Sequence, residues 1–336
     1  MKKLAKIFKI LIIIIVVVCV ALWIVANVLF KLPAKDYYNA SEKTFSIPDL
    51  NSGFIPQGLE YVSSDGNFLI TGYMGDDSPS PVYVIDQDGN VVSKVSIPDE
   101  NGDFLTNHNG GISIYGDYVY VAGGKDCEIN VYSYKDILNG TPELLGTIDM
   151  RVSEDEYLGP AFVTASSGKL IIGEFYREEN YPTCISHQFK TSNGDEHHAI
   201  AMVYELGDYP ESFGCNLESA EVWSIPDLAQ GMTFKDGKIY VSESYGTATS
   251  TIEVFDYEKA LSSETIDIMG KTGLKLYELD SAAKDNDYIF APMAEEITFV
   301  GDKLYTMCES ASNKYFFGKL TGHFKCYSTD LTKMSN

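Results

Sequence analysis

Outside its first 35 residues the sequence has little positive charge. All 48 aspartates and glutamates lie beyond residue 35, against 19 of the 25 lysines and arginines, so residues 36–336 carry a formal net charge of −29. A surface of this sign repels nucleic acid and the anionic headgroups of lipids. We therefore predict no nucleic-acid partner. We expect the domain to attract cations or basic ligands, although solubility alone would account for the same charge.

The sequence also lacks the spacings that mark common metal and catalytic sites. There is no C-x-x-C pair, so a zinc ribbon or a thioredoxin-type site is not expected. The motifs G-x-S-x-G and H-E-x-x-H and a phosphate-binding glycine loop are missing as well. Five cysteines follow Cys19, an odd number, which argues against a scaffold built on disulfides. Cys308 and Cys326 could still pair across neighbouring strands, and the sequence leaves this open.

Helical periodicity is almost absent after residue 35, but the chain begins with one long apolar run. Residues 10–30 contain no charged side chain over 21 positions, enough to cross the hydrocarbon core of a bilayer. Four lysines precede this run and two follow it closely, so the positive-inside rule places the N-terminus in the cytoplasm. No clean A-x-A cleavage site follows, which favours an uncleaved signal anchor over the alternative, a cleaved signal peptide.

These features predict a protein that crosses the plasma membrane once. It would consist of a cytoplasmic basic tail (1–9), a transmembrane signal anchor (10–30), a linker (31–42) and an extracytoplasmic domain (43–336). The membrane is then a partner through the N-terminal helix.

The predicted extracytoplasmic domain is built from an internal repeat. Each unit has a short apolar strand, a turn that contains glycine and a second strand, a pattern typical of tight hairpins. The five units are residues 56–72, 109–123, 160–174, 229–243 and 294–308. A third strand follows every unit, and a fourth follows the first four units at 91–98, 144–150, 220–226 and 274–280.

The repeat predicts an all-β fold, a β-propeller of five four-stranded blades preceded by one transmembrane helix. Six blades would result if one of the longer units, 158–227 or 228–287, contains another. The fifth unit lacks its fourth strand, and residues 43–49 end in the phrase SIPD, which recurs at 96–99 and 224–227. We therefore expect this N-terminal strand to complete the last blade and close the ring. A β-sandwich would explain neither observation.

In such a fold, the start of each first strand and the end of each second strand surround the mouth of the central channel, a common ligand site. The candidate ligand-binding residues at this level are Gln57, His108, Asn109, Glu174, Gln230, Glu243, Glu295 and Glu296. Glu295 and Glu296 are neighbours in sequence, so only one of them should face the channel.

The chemistry of this mouth stays open at the sequence level. Glu243 and Glu295 are the candidates for a catalytic acid, because two close carboxyls raise one pKa. Carboxylate and amide oxygens suit Ca²⁺, with Glu295 as the best ligand, and they suit an amine equally well. The insertion 175–198 should overhang the mouth. Its residues His187, His197 and His198 could take a transition metal, but we expect a solvated, partly disordered lid.

Two stretches carry a resemblance to known families. GFIPQGLEY (53–61) and IYVSESYGTATSTIEVFD (239–256) resemble blades of the glutamine cyclotransferases, the plant-type glutaminyl cyclases, which are five-bladed propellers. The chain is also loosely similar to gluconolactonase and strictosidine-synthase-like propellers, which hold a divalent metal at the channel. These resemblances imply either cyclisation of N-terminal glutamine or metal-dependent lactone or ester hydrolysis.

The sequence therefore predicts a membrane-anchored, extracytoplasmic β-propeller that binds a small molecule or a peptide at its channel mouth. An enzyme of one of the two propeller types is the alternative.

Overall fold

The computed structural model describes residues 2–123 and 126–334, so the first residue of the predicted tail and the last two of the predicted domain lie outside it. Helix α1 (Lys2–Ala26) continues as a π-helical turn to Lys31. It has a mean hydropathy of 3.2 over its most apolar 18-residue stretch, and none of that stretch is buried. Its length and composition fit a membrane anchor or a signal sequence.

The segment after α1 packs against the β domain. It forms helix α2 (Lys35–Ala40) and strand β1 (Ser41–Ser46). Tyr37 is completely buried, and its ring lies 4.5 Å from that of Phe290. Most of the stretch that the sequence assigns to a linker is therefore in contact with the domain.

Two four-stranded antiparallel sheets follow in chain order. The first contains β2 (Phe54–Val62), β3 (Asn67–Met74), β4 (Pro81–Ile85) and β5 (Val91–Ser96). The second contains β6 (Ile112–Tyr115), β7 (Tyr118–Ala122), β8 (Glu128–Ser133) and β9 (Leu144–Asp149), with helix α3 (Tyr134–Asn139) before β9.

The third sheet has six strands. Its first four are β10 (Pro160–Ser166), β11 (Lys169–Glu174), β14 (Ala199–Leu206) and β15 (Cys215–Ile225), and a separate hairpin of β12 (Phe189–Lys190) and β13 (Glu196–His197) lies in the insertion. The fourth sheet contains β16 (Ala229–Lys235), β17 (Lys238–Glu243) and β18 (Ser250–Asp256). Helix α4 (Tyr257–Ala260) then leads into β19 (Leu261–Ile268) and β20 (Lys271–Glu278), and β21 (Lys284–Phe290) returns to the fourth sheet.

The fourth strand predicted for the fourth unit, residues 274–280, is therefore wrong. These residues lie in β20, which pairs in parallel with β15 at the edge of the third sheet. The fourth sheet is completed instead by β21, which pairs with β18. Apolar alternation identified β20 as a strand but carries no information about its partner. In contrast, β21 alternates exposed with half-buried residues, so it has no clear strand signal.

The last sheet joins the two ends of the domain. Strands β22 (Ala294–Val300), β23 (Lys303–Cys308) and β24 (Lys325–Thr329) are followed at the edge by β1, which pairs antiparallel with β24. Helix α5 (Phe317–Thr321) lies between β23 and β24. Cys308 and Cys326 are buried thiols on these adjacent strands and form no disulfide.

The sheets form a β-propeller, with β2, β6, β10, β16 and β22 as inner strands that contact one another in this cyclic order. Apolar layers fill the space between neighbouring sheets. In the layer between the last sheet and the first, Phe45 of β1 and Met307 pack with Leu59 and Ile70. These layers supply the burial that holds the sheets together.

The register of four inner strands shifts at the same place. In β2, β10, β16 and β22 one extra residue interrupts the pairing with the second strand, near Gln57, Ala161, Gln230 and Glu295. A bulge of this kind redirects the side chains around it. It lies at the end of the channel where the candidate site residues were predicted.

Candidate functional site

Glu296 is buried between the inner strands. Its Oε2 accepts hydrogen bonds from the backbone N–H groups of Leu59 (2.8 Å) and Ile112 (3.0 Å), which belong to two other inner strands. Gly111 and Gly231 leave room for it, since a Cβ on either residue would come within 3.0 Å of Glu296. Burial raises the pKa of this carboxyl well above its usual value, and the two N–H donors oppose the rise. Glu296 therefore ties inner strands together.

A second polar group lies further along the channel, at Glu60. Its carboxylate accepts hydrogen bonds from the hydroxyls of Ser113 and Thr298 and from the N–H of Tyr61, and Ser113 accepts one from the N–H of Ala165. Burial raises the pKa of Glu60 to about 7. Sequence reasoning missed this layer, although each repeat marks it with a polar residue directly after the first core residue: Glu60, Ser113, Thr164, Thr233 and Thr298.

At the end of the channel where the bulges lie, Glu295 is near a second carboxyl, that of Glu309. Glu295 is 2 % exposed, and its pKa is raised well above the usual range, first by burial and then by the charge of Glu309. Burial also raises the pKa of Glu309, but a hydrogen bond from Tyr73 (Oη to Oε1, 3.0 Å) and the charge of Lys314 oppose the rise. These two partners favour the charged form of Glu309, and the charge of Glu309 in turn favours the protonated form of Glu295.

Lys314 places its ammonium group beside this pair. Its Nζ donates a hydrogen bond to Tyr73 Oη (2.9 Å) and lies 5.4 Å from the ring centroid of Tyr73 and 5.2 Å from that of Tyr315. An ammonium between two aromatic rings is in the range of a cation–π interaction. The mouth therefore already holds one cation of the chain itself.

Tyrosines form the rim around the two carboxyls. Burial, Glu309 and Glu295 raise the pKa of Tyr315 to about 12, and the nearby phenols of Tyr181 and Tyr245 add to the rise. Tyr181 belongs to the insertion, which does reach the mouth. The guanidinium of Arg177, from the same insertion, lies 4.1 Å from the ring centroid of Tyr245.

Four of the predicted ligand-binding residues lie near the bulges of the inner strands or near Tyr73. They are Gln57, His108, Asn109 and Gln230. His108 stacks on Tyr73 with 4.0 Å between ring centroids. Asn109 is buried in a left-handed backbone conformation (φ 44°), and neither its side-chain oxygen nor its nitrogen has a hydrogen-bond partner among the described residues. Gln57 donates to the backbone carbonyl of its neighbour Pro56 (2.9 Å), and Gln230 donates to that of Ser244 (3.3 Å), just after β17.

Glu174 and Glu243 have other partners. Glu174 Oε2 lies 2.9 Å from Nδ1 of His187 and accepts a hydrogen bond from the N–H of Ile200 (3.2 Å). Glu243 faces Glu253 on the neighbouring strand, and burial and this second carboxyl raise its pKa to about 9. Both glutamates end a second strand as predicted, but their partners lie in the insertion and on the third strands β14 and β18.

Two of the three histidines of the insertion are buried, not solvated as its polar composition had suggested. His187 and His197 are both buried, and each of the three histidines has its own partner. His197 Nδ1 lies 2.8 Å from the hydroxyl of Ser224, and His198 Nδ1 lies 2.9 Å from Asp227 Oδ2. Polar composition suggested solvation, but in the structure these groups pack against the third sheet.

No group of three or more His, Cys, Asp or Glu side chains within the described ranges is arranged to hold a metal ion. At the mouth, Glu295 and Glu309 supply at most four of the six to eight oxygens that Ca²⁺ takes, and an ammonium lies beside them. The residues present therefore do not fit a Ca²⁺ site.

No protein-family model matches the chain. No curated protein matches it by sequence. Among solved structures, a glutaminyl cyclase from Myxococcus xanthus aligns with a TM-score of 0.40 and 13% identity, over 79% of this chain and 90% of that one. A gluconolactonase from Xanthomonas campestris aligns with a TM-score of 0.39 and 11% identity, over 86% and 94% of the two chains.

A putative oxidoreductase (glucose dehydrogenase) from Thermus thermophilus aligns with a TM-score of 0.41 and 13% identity, over 86% of this chain and 98% of that one. The aligned structures therefore include a glutaminyl cyclase and a gluconolactonase. At these scores no residue role is transferred from them.

Proposed function

We propose that the protein is a membrane-anchored, extracytoplasmic β-propeller of five blades that binds an ammonium-bearing small molecule or peptide at its channel mouth. The cyclic contacts of the inner strands and the apolar layer between the last and first sheets support five blades and a ring completed by β1. The exposed, apolar α1 supports the anchor.

The observation that carries the ligand proposal is the pair Glu295 and Glu309 beneath Tyr73 and Tyr315, with the ammonium of Lys314 beside them. Two buried carboxyls cannot both ionise unless a positive charge approaches them. Aromatic faces at the same place favour an ammonium group over a strongly hydrated metal ion. The negative charge of the domain attracts such ligands from a distance.

The proposal makes binding dependent on protons. A cation that docks against the pair favours ionisation of Glu295, so the complex forms with release of a proton and becomes tighter as pH rises. An anionic or neutral ligand would leave Glu295 protonated and show neither effect.

A matched pair of peptides tests this. We would titrate the full chain in detergent with a Gln-initiated peptide and with its N-acetylated form, by calorimetry in buffers of different ionisation enthalpy. We expect the free amine to bind with proton release and the acetylated peptide not to bind. Glu295→Gln and Glu309→Gln should abolish binding, whereas Glu264→Gln, an exposed change on β19, should not. Equal binding of the two peptides would contradict the proposal.

Ring closure has its own test at Phe45, which is buried 4.9 Å (ring centroids) from Phe68 of the first sheet. If β1 completes the ring, Phe45→Ala should cost about 3 kcal/mol of unfolding free energy, as core phenylalanines do. The exposed Phe104 provides the control, and its replacement by alanine should have little effect. Equal stability of the two variants would exclude β1 from the ring.

The raised pKa of Glu295 also favours a second candidate function, an enzyme that cyclises N-terminal glutamine. The α-amine would attack the side-chain amide carbon, the bond to the amide nitrogen would break, and a mouth carboxyl would pass the proton from the amine to the leaving ammonia. Incubation with the Gln-initiated peptide tests this by mass spectrometry. Ammonia loss no faster than in the uncatalysed control would exclude it.

A further inference from the structure

The end of the apolar helix contacts helix α5. The ring of Phe30, the last residue of the uncharged run, stacks on that of Phe317 with 4.2 Å between centroids, and Asn27 Nδ2 donates to the carbonyl of Leu320 (3.3 Å). If α1 spans the bilayer, residue 30 lies where the hydrocarbon core ends. Helix α5 therefore lies at the membrane surface, without a free linker between the two.

The segment around α5 has the composition of a membrane-contacting surface. Residues 310–329 contain three lysines and no acidic residue, although 48 acids lie beyond residue 35. Within this segment Phe316 is 59 % exposed and Phe324 is 41 % exposed. Phe316 also adopts a left-handed backbone conformation (φ 46°), which is unfavourable for a bulky residue.

The same segment is attached to the channel mouth. Gly318 packs so closely on the turn after Glu309 that a Cβ would lie 2.6 Å from the backbone of Ser310. Lys319 Nζ donates to Asn51 Oδ1 (2.9 Å), in the loop before β2, and to Asn313 Oδ1 (2.6 Å). Because residues 309–316 lead from the end of β23 to α5 and include Glu309 and Lys314 of the mouth, the mouth and α5 lie on one face of the propeller.

We propose that residues 312–325, here named the α5 surface, rest on the outer leaflet of the bilayer and turn the channel mouth toward the membrane. Phe316 and Phe324 enter the headgroup region, and Lys319 and Lys325 approach anionic headgroups. The negative charge of the remaining domain repels the same headgroups, so only this face can approach the membrane. Ligands then reach the mouth along the membrane surface. This inference rests on the membrane anchor of the proposed function.

Photo-crosslinking of the full chain in vesicles of neutral and anionic lipids tests the inference. We would place p-benzoylphenylalanine at position 316 or 324. The positive control is position 29, where Leu29 in the apolar helix is 58 % exposed. The negative control is position 145, where Leu145 is 45 % exposed at the start of β9, away from the mouth. We expect lipid adducts at positions 29, 316 and 324, and a yield at position 145 that is several-fold lower than at these three. The yields at 316 and 324 should be higher in anionic than in neutral vesicles.

The outcomes separate the two proposals. Adducts at 29 without adducts at 316 and 324 would overturn the α5 surface and leave the anchor intact. Absence of lipid adducts at all positions would overturn both. A protein–protein adduct at 316 in place of a lipid adduct would overturn the membrane contact and identify this surface as a contact between copies of the chain.

Discussion

Glu295 and Glu296 are adjacent in the sequence, both are buried and both have a raised pKa, but they have different surroundings. Glu296 accepts hydrogen bonds from two backbone N–H groups of other inner strands, so its carboxyl has a structural role. Glu295 lies near a second carboxyl, that of Glu309, and near the phenols of Tyr73 and Tyr315. Burial and a raised pKa therefore do not identify a functional acid by themselves. The partners of the carboxyl decide its role.

Replacement of Glu296 should produce the largest effect. Glu296→Ala leaves two buried N–H donors without an acceptor, and we expect a loss of unfolding free energy of about 3 kcal/mol or more. Urea unfolding followed by the fluorescence of the buried Trp223 would measure it. Glu296→Gln keeps an acceptor oxygen and should lose less. If both variants are as stable as the parent protein, the carboxyl does not hold the strands.

Replacement of Glu60 should change the pH dependence of the unfolding free energy. Burial raises its pKa from 4.5 to about 7, so its contribution is fully present below pH 4.5 and is lost as pH rises through 7. Its size is about 3 kcal/mol at 1.36 kcal/mol for each pH unit. Glu60→Gln should flatten this part of the curve in urea unfolding at a series of pH values. An unchanged slope between pH 4.5 and 7 would show that another group titrates there.

Glu295→Gln should raise the unfolding free energy at alkaline pH, whereas Glu296→Ala should lower it. Because the pKa of Glu295 is raised in the folded protein, its contribution to stability is present below pH 4.5 and is lost as pH rises. The variant should therefore be as stable as the parent at low pH and more stable at alkaline pH, while it loses the peptide. Loss of stability at every pH would instead assign Glu295 to the fold, like Glu296.

Lys314→Gln should have the smallest effect on stability, within about 0.5 kcal/mol, as is usual for exposed side chains. Its ammonium competes with the proposed ligand, so the variant should bind the free-amine peptide more tightly. Lys303→Gln, which removes an exposed ion pair with Glu42, is the control and should leave binding unchanged. Weaker binding after Lys314→Gln would mean that the lysine supports the ligand directly.

The sequence predicted most of the fold because a period of two and glycine turns mark strands locally. It placed 43–49 beside the last sheet, and β1 does pair with β24. It failed for β20 and β21, since strand pairing across a long connection depends on packing that no local pattern records. At the mouth it placed Glu295, but it missed Glu309 and Tyr73. Both follow directly after positions that the aligned repeats had identified, Cys308 and Gly72.

By itself the sequence determined the apolar helix, the repeated strands and the distribution of charge, because each of these depends only on residue type and spacing. Only the tertiary structure decided the different hydrogen-bond partners and surroundings of Glu295 and Glu296. Glu296 accepts backbone hydrogen bonds from other inner strands, and its neighbour Glu295 lies near Glu309. The register shift between Ala294 and Ile297 redirects both side chains. The tertiary structure also decided that Lys314, from a loop far along the chain from Tyr73, would lie beside the carboxyl pair. Only folding brings such groups within a few ångströms.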